Sequence, residues 1–205
     1  MTTAPERLIQ MVKDIARAFS RRGVQHAVVG GMAVSAHGHP RATKDVDFLI
    51  DSRAVSAATS ALEELGFSRL PAESGEGFMR FARHPLPQLP ELTEWVDLLC
   101  ASQPMGRSLL QQAAEHPIPW QDGSLAVVSV EGLILMKLIA CVDSPARLQD
   151  RVDILTLLRG QPCRIDLDWL REATAALGDR YAHELDILLA QAAAPDAPPS
   201  GPRGL

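Results

Sequence analysis

His26-Ala27-Val28-Val29-Gly30-Gly31-Met32-Ala33-Val34-Ser35-Ala36-His37-Gly38-His39-Pro40-Arg41-Ala42-Thr43-Lys44-Asp45-Val46-Asp47-Phe48-Leu49-Ile50 decides the reading of this chain. A short apolar run ends at a double glycine, and two carboxylates then alternate on a second apolar run. Residues of a strand alternate between its faces, so Asp45 and Asp47 point the same way while Val46 and Phe48 point the other. Two parallel carboxylates repel, and a divalent cation between them relieves the repulsion. Hard oxygen donors of this kind suit Mg²⁺ or Mn²⁺, with substrate phosphates completing the shell. His26 to Val29 reads as a buried strand ending at Gly30-Gly31, and Met32 to Ala36 as the first turns of a helix. Glycines let a phosphate come close to the backbone, and helix N–H groups favour anions. Asp-x-Asp alone, or Gly-Gly alone, is commonplace; strand, Gly-Gly, helix, basic linker and Asp-x-Asp strand in one continuous stretch bring phosphate donors and metal ligands together.

A site built on two cations needs a third carboxylate on a neighbouring strand. Asp97 supplies it, in Leu92-Thr93-Glu94-Trp95-Val96-Asp97-Leu98-Leu99-Cys100, where an acid stands among residues that favour burial. Glu94 is the competitor, on the less continuous part of the apolar segment.

With these residues in place, the stretch resembles the polymerase-beta type of nucleotidyltransferase and, more narrowly, the abortive-infection and mycobacterial-type nucleotidyltransferase toxins. In that group a glycine pair, an Ala-containing helix, a His-Gly, an Arg and a Thr precede Asp-x-Asp. Gly30, Gly31, Ala33, His37, Gly38, Arg41, Thr43, Asp45 and Asp47 match. A later Lys, then an Arg and two acids, are matched by Lys137, Arg147, Asp150 and Asp153.

The resemblance implies metal-dependent transfer of a nucleoside monophosphate from an NTP to an acceptor hydroxyl. Asp45, Asp47 and Asp97 would be catalytic metal ligands, with Lys137 contacting nucleotide phosphate. Gly30, Gly31, Ser35, Arg41, Thr43 and Asp150 would bind nucleotide. It also implies a tRNA 3′ end as acceptor and a cognate antitoxin as partner. Many members carry Ser directly after the glycines, where this chain has Met32; backbone N–H groups then hold the phosphates alone, or Ser35 assists from one turn on. Gln149 stands where a Lys commonly precedes the first acid of the later helix. A small-molecule, antibiotic-type nucleotidyltransferase shares the same three acids, and an inactive module holding nucleotide or antitoxin stays open beside it. A glycosyltransferase also uses Asp-x-Asp but needs neither the upstream glycines nor the later acid.

The 205 residues, 46% of them hydrophobic, suffice for one sizeable core or a core plus a small helical lobe. A formal charge of −5 argues against broad electrostatic capture of nucleic acid. Any RNA contact is therefore local, with Arg21-Arg22, the Arg41 to Lys44 linker, and Arg80 with Arg83 as candidates or as plain solvated charge. Cys100, Cys141 and Cys163 are odd in number and widely spaced, which fits reduced thiols. No charged head precedes an apolar leader and no stretch reaches membrane-spanning length, so a cytoplasmic protein is expected.

The expected fold class is α+β, a small mixed sheet flanked by helices and followed by a helical C-terminal lobe. Residues 1–130 form the core, 131–192 the lobe, and 193–205, rich in Pro, Ala and Gly, a disordered tail. Pro5 and Glu6 open an amphipathic helix that ends at Arg21-Arg22-Gly23. Ser52 caps a second helix ended by Gly66. Phe78 to Phe81 reads as a strand, and His84 to Pro90, with three prolines, as a loop near the third acid. Helix follows from Pro104, with a break over 117–123 and a strand at Leu125 to Val130. Lys137 is the sole charge in Leu133 to Val142, so it either snorkels to water or faces a polar cavity. Arg147, Asp150 and Arg151 form a surface ion-pair ladder, or else Asp150 or Asp153 orients Lys137 or the base and sugar. Ser144-Pro145 and Asp166 start further helices, with Trp169 in the core.

Overall fold

The computed structural model describes residues 4–73, 77–84, 93–120, 123–160 and 165–194. Contacts divide the chain into two units, Met1–Ser129 and Val130–Leu205. In the first, helix α1 (Ala4–Arg21) precedes strand β1 (His26–Val29), helix α2 (Gly30–Ala36) and strand β2 (Asp45–Asp51). A 3₁₀ turn, helix α3 (Val55–Glu64) and strands β3 (Ser68–Arg69), β4 (Phe78–Arg83) and β5 (Glu94–Ala101) follow. Helix α4 (Pro104–Glu115) and a hairpin of β6 (Ile118–Trp120) and β7 (Gly123–Leu125) complete the unit.

The five-stranded sheet has the order β1-β2-β5-β4-β3. It is mixed: β2 and β5 run parallel, and every other pairing is antiparallel. β5 is therefore central, with β2 on one side and β4 on the other, and its side chains meet neighbours from both. One sheet face is apolar and covered. Phe19 of α1 meets Phe48 of β2 edge-on with ring centroids 5.4 Å apart, and His26 packs against both rings. Burial holds the His26 imidazole below its ordinary value, against the pull of its hydrogen bond with the Val24 carbonyl. Val46, Phe48, Ile50, Val96 and Leu98 are fully buried, as the alternation of the strands requires.

The second unit holds four helices among its described residues: α5 (Val130–Asp143), α6 (Leu148–Gly160), α7 (Leu167–Leu177) and α8 (Asp179–Ala193). α5 is apolar around most of its circumference and buried along Leu133, Ile134, Leu135 and Leu138, the behaviour of a helix packed on several sides. No helix of the described residues is long and apolar enough to cross a membrane.

Four local expectations are corrected. The segment Leu125 to Val130 is not a strand: β7 ends at Leu125, and Val127 makes one parallel bridge to Val28 before α5 begins. β1 is only four residues long and leaves the sheet at Gly30, so the passing chain finds just two hydrogen bonds with Val28. The cap before α3 is Asp51 rather than Ser52, because the Asp51 carboxylate accepts from the Arg53 N–H at 2.8 Å and starts the 3₁₀ turn. Ser144-Pro145 forms a turn, with Arg147 N–H bonded to the Ser144 carbonyl, and α6 starts later, at Leu148. Trp169 is half-buried; Leu170 is the side chain that enters the core of α7, and Asp166 caps that helix as expected. The proline loop from Pro85 to Pro90, Cys163 and the tail from residue 195 lie outside the described residues.

Candidate metal centre

Strand register brings the three acids together. Asp45 and Asp47 occupy one face of β2, and Asp97 of β5 is the parallel partner of Asp47. Neighbouring strands lie about 4.8 Å apart, so partners in register place their side chains side by side. One oxygen from each of Asp45, Asp47 and Asp97 lies within 4.8 Å of the others. Asp45 and Asp47 are half-buried and Asp97 is 4% exposed. An all-carboxylate set open on one side fits a hard divalent cation that keeps room for water and phosphate oxygens. Glu94, the competing acid, is the first residue of β5 and is held by the Arg83 guanidinium at 2.7 Å, so Asp97 is the third member.

The double glycine is required by that cluster. Val29 is the register partner of Asp47, so the residue after Val29 lies against the Asp47 side chain. That residue is Gly30, with φ +62°, and a Cβ there would stand 1.8 Å from Asp47 Oδ2. Only glycine serves at such a position. At Gly31 a Cβ would meet Arg41 Nη2 at 2.8 Å and Thr43 Oγ1 at 2.9 Å. The linker therefore folds back over the glycine turn, bringing Arg41 and Thr43 beside it. Thr43 Oγ1 donates to Asp45 Oδ1 at 2.8 Å, which fixes the first carboxylate. Ser35 is differently employed: its hydroxyl donates to the Gly31 carbonyl at 3.2 Å and accepts from the Arg41 N–H at 3.4 Å. No side chain caps the first turn of α2, where Met32 is buried.

Sequence reasoning treated Arg80 as local RNA contact or surface charge. The structure gives it another place. Arg80 is the antiparallel partner of Asp97 on β4. Its Nε donates to Asp97 Oδ1 at 2.8 Å and its Nη2 to Asp97 Oδ2 at 2.7 Å, with Nη1 3.3 Å from Glu73 Oε2. The Asp97 hydrogen bond is the main influence holding the guanidinium above its ordinary value. Arg83 likewise turns inward, to Glu94, the Leu65 carbonyl and the Phe67 ring. The available signal was the lone acid inside an apolar strand, which needs a cation on a neighbour.

Lys137 and Asp150 lie in the helical unit. Lys137 is 6% exposed, and its Nζ is 2.9 Å from Asp150 Oδ1 and 2.6 Å from Asp153 Oδ2. It does not snorkel. Arg147 binds the other Asp150 oxygen at 2.6 Å, and Gln149 donates to Asp153 Oδ1 at 2.9 Å. Burial works to raise the Asp150 carboxyl, but hydrogen bonds from Lys137 and Arg147 prevail and hold it below the ordinary value. The surface-ladder expectation is corrected here, since Asp150 is buried and Arg151 pairs with Glu184 instead.

No protein-family model matches the chain, and no curated protein matches it. Solved structures do. The crystal structure of ANT(2″)-Ia in complex with adenylyl-2″-tobramycin aligns with a TM-score of 0.58 at 15% identity, over 91% of this chain and 97% of that one. The solution structure of the antibiotic-resistance factor ANT(2″)-Ia aligns at 0.52 and 15% identity, over 90% of each chain. An antigenic nucleotidyltransferase-like protein from Paracoccidioides brasiliensis aligns at 0.52 and 19% identity, over 89% of this chain and 92% of that one. By these likenesses and its mixed five-stranded sheet, this chain has the nucleotidyltransferase fold.

Proposed function

We propose that the protein is a metal-dependent nucleotidyltransferase that moves a nucleoside monophosphate from an NTP to an acceptor hydroxyl and releases pyrophosphate. One observation carries this reading: the Asp45, Asp47 and Asp97 oxygens converge within 4.8 Å beside a turn at which Gly30 admits no side chain. Asp45 and Asp47 would hold the nucleotide's cation, and Asp97 with Asp47 or Asp45 a second. Bound there, Mg²⁺ or Mn²⁺ would lower the pKa of the acceptor hydroxyl and offset charge on the α-phosphate. The remaining work belongs to the chain. Gly30 and Gly31 would leave room for the outer phosphates, and Thr43 keeps the Asp45 carboxylate aimed. Arg41, folded over Gly31, would brace the triphosphate. The acceptor hydroxyl gives its proton to solvent water as its oxygen attacks the α-phosphorus in line, the bond from that phosphorus to the bridging oxygen breaks, and pyrophosphate leaves.

The motif resemblance nominates a tRNA 3′ end as acceptor, with the protein as toxin beside an antitoxin. A small hydroxylated acceptor is the second reading, favoured by the near end-to-end likeness to ANT(2″)-Ia and by the formal charge of −5, which suits a cationic substrate. Purified protein incubated with Mg²⁺ and α-labelled NTP, with tRNA or with aminoglycosides, separates the two. Label transferred to the RNA, together with growth arrest on expression that Asp97→Asn relieves, supports the first. Label transferred to the small molecule supports the second. Nucleotide binding with no pyrophosphate release in the presence of any acceptor contradicts transfer and leaves a binding module.

A further inference from the structure

We infer that Arg80 is the resident counter-cation of the acidic cluster, a positioning residue that keeps Asp97 aimed and that weakens the protein's hold on the second metal ion until nucleotide arrives. The inference rests on the reading of Asp45, Asp47 and Asp97 as metal ligands. Asp97 stands in the central strand between Asp47 on one side and Arg80 on the other. A carboxylate 4% exposed beside two others is costly without a compensating charge. The guanidinium provides it through two hydrogen bonds, of 2.8 and 2.7 Å, one to each oxygen.

Its own position is fixed from three further sides. Glu73 holds Nη1 at 3.3 Å, and the Phe78 and Trp95 rings lie 5.9 and 5.8 Å from the guanidinium carbon. Each carboxylate oxygen has two lone pairs, and the fork uses one on each. An Asp97 oxygen meanwhile stays within 4.8 Å of oxygens from Asp45 and Asp47. Asp97 is thus held in a ligating position while already bound to a cation.

Two consequences follow. Arg80 offsets one of the cluster's three negative charges. A divalent ion at Asp97 must also share that carboxylate with a fixed positive charge a few ångströms away. The free protein therefore binds the second ion weakly, and the phosphates of an NTP restore the missing negative charge.

The test is Mn²⁺ binding by the full chain, followed by electron paramagnetic resonance without nucleotide and paired with thermal melting. Arg80→Ala and Arg80→Gln remove the charge and are expected to bind Mn²⁺ roughly tenfold more tightly, as loss of a unit charge near a divalent ion dictates. Their metal-free melting temperatures fall and recover on adding Mn²⁺. Arg80→Lys keeps the charge and stays within a few-fold of the wild-type affinity. If Arg80→Ala does not fold, Arg80→Gln, which keeps a planar donor, carries the comparison. Neutral variants that bind Mn²⁺ as the wild type does, or more weakly, overturn the inference, as does Arg80→Lys tracking Arg80→Ala. Asp47→Asn separates the two levels: if it leaves Mn²⁺ binding untouched, the metal-site reading itself fails. If it abolishes binding while the Arg80 variants do not tighten it, only the role of Arg80 falls.

Discussion

Replacing Gly30 by alanine should damage the site far more than the fold. The backbone at Gly30 has φ +62°, where an L side chain costs about 1–2 kcal/mol. The new methyl carbon would lie 1.8 Å from Asp47 Oδ2, 2.5 Å from Cγ and 3.0 Å from Cβ. Three atoms of one side chain are crowded, so the carboxylate must swing away by about 1 Å or more. Misplacement on that scale costs about 100-fold in rate.

Gly23 provides the control. It has a similar φ of +67°, yet a Cβ there meets nothing within 4 Å. Gly23→Ala carries the same backbone cost without the collision. At roughly 2–4 °C per kcal/mol, each variant should melt within about 8 °C of the wild type. Only Gly30→Ala should lose Mn²⁺ affinity in a titration and transfer rate with α-labelled NTP. Wild-type affinity and rate in Gly30→Ala, or equal losses in Gly23→Ala, would refute the argument that the glycine exists to admit Asp47.

Lys137→Met should destabilise the protein by about 3–5 kcal/mol, because it strands the buried Asp150 and Asp153 carboxylates; an unchanged denaturation midpoint would contradict the buried pairing. Asp51→Ala should cost about 1 kcal/mol at neutral pH through loss of the cap to Arg53. Hydrogen bonds from Arg53 lower the Asp51 carboxyl from 3.8 to about 2, so its contribution is full above 3.8 and is lost as pH falls through about 2. The difference in stability between wild type and Asp51→Ala should accordingly hold steady down to about pH 4 and close below it, and a gap that widens on acidification would reverse the assigned sign. Thr43→Val removes the 2.8 Å hydrogen bond that aims Asp45, and about 1 kcal/mol of lost alignment predicts a roughly fivefold weaker Mn²⁺ isotherm; an unchanged isotherm removes Thr43 from the site.

The acids were legible because alternation is a local property. Asp45 and Asp47 share a face by spacing alone, and Asp97 betrays itself as the acid inside an apolar run. Strand β1, the glycine turn and α2 follow from the same stretch. Register is not local. Nothing in the sequence around Arg80 says that it lies opposite Asp97, and so the residue with both oxygens of that carboxylate in its grasp read as surface charge. Lys137, isolated on an apolar helix, needed a partner; the sequence offered Asp150 or Asp153, and only the packing of α6 shows that it engages both. The segment after Leu125 had the composition of a strand, but a four-residue neighbour offered it a single bridge. At the 3₁₀ turn before α3, Ser52 and Asp51 are both good caps, and the choice depends on which oxygen reaches the Arg53 N–H.

The central claim is that Asp45, Asp47 and Asp97 together hold divalent metal for an incoming nucleotide. Anomalous diffraction from crystals grown with Mn²⁺ and a non-hydrolysable NTP tests it most directly. The account predicts manganese peaks about 2.2 Å from oxygens of all three aspartates, with triphosphate density beside Gly30 and Gly31. Bound nucleotide with manganese elsewhere, and no peak among these carboxylates, would contradict it.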